Sequence, residues 1–129
     1  MKVSKGFNLS DDLVIHRDES GCWRLENGEN SFSLYESSDF KRVISLLEIP
    51  IENAKSALGL DFPYKSVAKI GLRHDSDYWI KLAISWVAES STPEALSFVD
   101  DLKKISTDKD VSQINRQLAK KELKRLLNT

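Results

Sequence analysis

The chain has 129 residues, 40% hydrophobic and 30% charged, a balance that excludes a disordered or low-complexity polypeptide. Its one cysteine, Cys22, excludes an internal disulfide and points to a reducing, cytoplasmic setting. The formal charge of −1 averages an uneven chain: residues 1–62 hold seven Lys/Arg against eleven Asp/Glu (−4), and residues 63–129 hold twelve against nine (+3). No apolar run reaches signal-peptide or membrane-spanning length, so no membrane partner is expected.

Residues 12–36 alternate with period two. Leu13 and Ile15, Trp23 and Leu25, and Phe32 and Leu34 recur on one face of LVIHR (13–17), CWRLE (22–26) and SFSLYE (31–36). DESG (18–21) and NGEN (27–30) supply the turns, with Asn27-Gly28 offering the positive φ that a tight hairpin needs. The pattern predicts a three-stranded antiparallel meander. So small a sheet is not stable alone, and the helices that follow are expected to cover it.

Residues 38–127 read as mainly helical. Ser37, Ser38 or Asp39 caps a first helix with a buried stripe of Phe40, Val43, Ile44 and Leu47, and Pro50 ends it. A short helix over Glu52–Leu58 stops at Gly59. Residues 64–72 (YKSVAKIGL) fit a helix or a strand. Asp75, Ser76 or Asp77 caps the next helix, whose stripe of Trp79, Leu82, Ala83, Trp86 and Val87 is widened by Ile80 and Ile84. Thr92 caps another helix with Pro93 at its first position, and Leu96, Val99 and Leu102 face inward there with Phe98 and Ile105 beside them. Asp110…Gln113 has the spacing of a capping box before a last helix carrying Ile114, Leu118, Leu123, Leu126 and Leu127. The expected architecture is one α+β domain over 1–129, a three-stranded antiparallel meander packed on a C-terminal bundle of about four to six helices. All three tryptophans are expected in its core, Trp23 beneath Trp79 and Trp86.

Chemistry-bearing motifs are sparse. His16 and His74 lack the close ligand pair of a zinc site, so no metal is assigned. Cys22 has no base beside it in sequence, and the glycines stand singly rather than in a phosphate-cradling loop. Acidic pairs such as Asp11-Asp12, Asp18-Glu19, Asp75 with Asp77 and Asp100-Asp101 fall in turns or on polar helix faces, where carboxylates are ordinarily solvated. An enzyme would have to assemble its site from scattered groups such as His16, His74, Asp75 and Asp77. No catalytic residue and no cofactor is therefore assigned. Arg116, Lys120, Lys121, Lys124 and Arg125 invite a nucleic-acid alternative. Cations in the last turns also complement a helix's negative end, no aromatic residue interleaves with them, and the pI of about 6.1 is low for duplex binding.

The order of elements, LVIHR…CWRLE…SFSLYE, then SDFKRVISLLEIP, then SDYWIKLAISWVAE, resembles the small cytosolic immunity proteins that bacteria make against toxins. The resemblance implies a protein without chemistry of its own that plugs or masks a partner, a cognate toxin such as a basic nuclease. Physically, an acidic surface suits a basic, phosphate-attracting cleft. The candidate contacts are the meander turns, Asp18, Glu19, Glu26 and Glu29, and the turn holding His74, Asp75 and Asp77.

Overall fold

A computed structural model describes residues 6–127. Four strands, β1 (Phe7–Ser10), β2 (Leu13–Arg17), β3 (Trp23–Asn27) and β4 (Asn30–Ser33), form one antiparallel sheet in sequential order. The meander thus has four strands where three are expected from the pattern. The added strand is β1, which folds back through the two-residue turn Asp11-Asp12 and carries a register shift between Asn8 and Ser10.

The fold is α+β: six helices follow among the described residues, α1 (Ile51–Leu58), α2 (Tyr64–Leu72), α3 (Asp77–Ala88), α4 (Thr92–Ala95), α5 (Val99–Thr107) and α6 (Gln113–Leu127). Residues 64–72 are therefore helix. Packing gathers into two compact units, one up to Val67 and one from Ala68, divided inside α2.

In the first unit Ile15 and Leu25 face each other across β2 and β3 and are buried, with Leu34 beyond them. Trp23 is half-buried and packs on Phe62, with rings 5.0 Å apart and nearly perpendicular; Phe62 in turn meets Phe40 and Tyr64. The segment Ser37–Glu48 is 3₁₀ rather than α-helical, broken by a kink at Val43. Phe40, Val43 and Leu46 are buried at period three, as three residues per turn place them; Leu47 is buried beside them as expected, and Ile44 is half-buried.

In the second unit α3 buries Ile80, Ala83, Ile84, Trp86 and Val87, while Trp79 and Leu82 are half-buried at its edge. Ser91, not Thr92, caps α4, and its reciprocal bonds with Glu94 form a capping box. Ser112 takes the cap expected for Asp110, its hydroxyl accepting from the Asn115 N–H at 3.2 Å. α3 and α6 run parallel, tied at both ends. The Asn115 side-chain amide donates to the Asp77 carbonyl at 2.9 Å, and Arg125 donates to the Val87 carbonyl at 3.1 Å. A parallel pair requires a crossover, supplied here by α4 and α5.

α6 faces the core with Asn115, Ala119, Glu122 and Leu126, so Ile114 and Leu127 are exposed rather than inward. Leu96 is likewise exposed, and Phe98 occupies the core there.

Candidate functional site

The outer face of the sheet carries the polar half of the alternation. His16 and Arg24 are cross-strand partners, as are Glu26 and Ser31. His16 Nε2 lies 2.9 Å from the Glu26 carboxylate and Nδ1 lies 3.2 Å from the Arg17 carbonyl, so both ring nitrogens face acceptors. The Ser31 hydroxyl donates to the same Glu26 oxygen at 2.8 Å, and Arg24 Nε donates to Ser31 at 2.9 Å. The bonds from His16 and then Ser31 hold the Glu26 carboxyl below its ordinary value. A carboxylate that accepts from both donors ties β2, β3 and β4 together on this face.

The turns place the other predicted contacts. Asp18 closes the β2–β3 turn: its carboxylate accepts from the Ser20 hydroxyl at 2.6 Å, the Ser20 N–H at 2.9 Å and the Cys22 N–H at 3.0 Å. These bonds, Ser20's hydroxyl foremost, hold its carboxyl below the usual range. Glu19 is exposed beside it. At the β3–β4 hairpin only Gly28 has positive φ (+61°), the arrangement of a type II′ turn, and Asn27 closes β3 as a strand residue paired with Asn30. Glu29 is exposed in that turn.

In a meander alternate turns lie at opposite ends. Glu29 therefore shares its end with Asp11 and Asp12, while Asp18 and Glu19 sit about 16 Å away along a five-residue strand. The four meander carboxylates expected to act together are split. Asp11 and Asp12 complete the acidic end, a grouping that depends on β1, which the period-two reading lacks. Among the described residues no hydrogen bond or ion pair engages Asp11, Asp12, Glu19 or Glu29.

The 74–78 turn divides in the same way. His74 and Asp75 are exposed, and the Ser76 N–H donates to His74 Nδ1 at 3.0 Å. Asp77 is a joint rather than a contact: its carboxylate accepts from the Ser112 N–H at 2.9 Å and the Asn115 amide at 3.1 Å. The Ser112 bond is the main cause of its lowered pKa.

Two of the five cations on the last helix are likewise engaged by the chain. Arg116 donates to the carbonyls of Val111 at 3.0 Å and of Asp108 and Lys109 at 3.4 Å, while Arg125 bonds Glu122 and Val87. Lys120, Lys121 and Lys124 alone remain exposed. Among the described residues no group of three or more His, Cys, Asp or Glu is placed to hold a metal ion, and no helix is long and apolar enough to cross a membrane. No protein-family model, curated protein or solved structure matches the chain.

Proposed function

We propose that this chain is a non-catalytic protein–protein interaction module of the cytoplasm, an immunity protein that binds and neutralises a cognate toxin. The observation that carries the reading is the acidic end of the sheet. Asp11, Asp12 and Glu29 stand exposed in two turns of a half-chain of charge −4, whereas Asp18, Asp39 and Asp77 are engaged by hydrogen bonds from the chain itself. Carboxylates on short turns are held close together at little entropic cost. Such an end complements the basic cleft that a nuclease needs for its phosphate substrate, and it accelerates encounter by long-range attraction. Glu19 at the opposite end, and His74 with Asp75 in the second unit, are secondary contacts in this reading.

The test is a stopped-flow titration against the toxin encoded beside this chain. Reversing the acidic end (Asp11→Lys, Asp12→Lys, Glu29→Lys) is expected to slow association by more than tenfold at low salt, roughly the scale of steering effects. Glu19→Lys is expected to slow it far less. An unchanged rate in the triple variant removes the acidic-end mechanism, and a toxin left active by a stoichiometric amount of this protein removes the immunity reading.

A further inference from the structure

The two edges of the sheet differ. β1 is bulged between Asn8 and Ser10, a device that spoils edge pairing. β4, Asn30-Ser31-Phe32-Ser33, has no bulge, no proline, no lysine and no charged residue, so nothing in it resists another strand.

The register fixes which groups this edge offers. Leu34 donates to the Trp23 carbonyl at 3.0 Å, so positions 30, 32 and 34 bond inward to β3. The N–H and C=O of Ser31 and Ser33 therefore point away from the sheet, and among the described residues nothing bonds them there. Both residues are exposed.

We propose that β4 pairs with β4 of a second copy of this chain about a two-fold axis through Phe32, joining two four-stranded sheets into one of eight. One two-fold register pairs the outward groups of Ser31 with those of Ser33. Ser31 of each copy exchanges both backbone bonds with Ser33 of the other, and Phe32 faces Phe32, giving a closed isologous contact. Along the outer face the rows then read Glu26, Ser31, Ser33, Arg24, so opposite charges end each row and no like charges are opposed. The same register brings Tyr35, 83% exposed in the single chain, beside the Glu29 turn of the second copy.

The test uses the full chain. Sedimentation equilibrium from about 10 μM to about 1 mM should show the mass rising from one chain toward two, the range suited to a contact of few bonds. Ser33→Pro, which deletes an outward N–H that the β3–β4 ladder does not use, should stay monomeric. Ser33→Ala, which keeps the N–H, should still associate. Hydrogen exchange reads the same contact without a variant: the Ser31 and Ser33 amides should slow at least tenfold between the dilute and concentrated samples, while the inward Phe32 amide stays protected in both. A single-chain mass throughout, or doubling without added protection at 31 and 33, overturns the proposal. So does an edge that gains protection only when a different protein is added.

Discussion

The Tyr64 hydroxyl donates to the carbonyl of Gly59 and lies 3.3 Å from that of Ala54, closing the chain over the end of α1. Gly59 has φ +86°, a conformation that a side chain would strain, so the corner depends on both residues. Tyr64→Phe should cost about 1 kcal/mol in a denaturant titration, the usual net value of such a bond. Burial pushes the Tyr64 phenol up to about 12. A raised folded value means its contribution is complete below the ordinary tyrosine pKa near 10 and is lost as pH rises through about 12. A tyrosinate absorbance titration should show a late step that is missing in Tyr64→Phe. Asp77 works with the opposite sign. Its pKa is lowered, chiefly by the Ser112 N–H, so its contribution is present above the ordinary carboxylate value near 4 and disappears as pH falls through the folded value. Asp77→Ala should therefore lower the urea midpoint at neutral pH, and the gap to the parent chain should close in acid.

At the scale of elements, α6 shows why hydrophobic periodicity placed the helix but not its face. Its inward positions include Asn115 and Glu122, so a stripe drawn through apolar residues alone rotates toward Ile114 and Leu127. Buried polar groups are tolerated where partners meet them: Asn115 donates to Asp77, and Glu122 pairs with Arg125 at 2.9 Å. Arg125→Ala should destabilise the chain by about 2 kcal/mol, below the usual range for breaking a buried pair because Arg125 is partly exposed. Adding Glu122→Gln to that variant should recover part of the loss, which a chemical denaturation series measures. The same limit appears in the Ser37–Glu48 segment, whose apolar residues suit either 3.6 or three residues per turn. β1 is not legible in the sequence because FNLS offers only two apolar positions before a turn. The segment 64–72 fitted two periods, and nothing in its residues distinguishes them.

For the whole molecule, legibility of the candidate surface followed topology. The acidic residues and their turns were readable, but which carboxylates share an end depends on the number of strands. Which carboxylates the chain engages depends on hydrogen bonds that cross from one element to another, as between Asp77 and Ser112. The triple reversal at Asp11, Asp12 and Glu29 should leave the melting temperature close to that of the parent chain, since no internal bond among the described residues is lost. A scanning calorimetry comparison checks this, and separates a defect in association from a defect in folding.

The parallel pairing of α3 with α6 sets a timetable for synthesis. A nascent chain emerging from the ribosome makes α3, with its Trp86, Ile80 and Ile84, well before Asn115 and Arg125 exist to tie down its two ends. Throughout the translation of residues 89–112 that helix lacks its neighbour, so early termination there should yield fragments that chaperones hold or proteases clear.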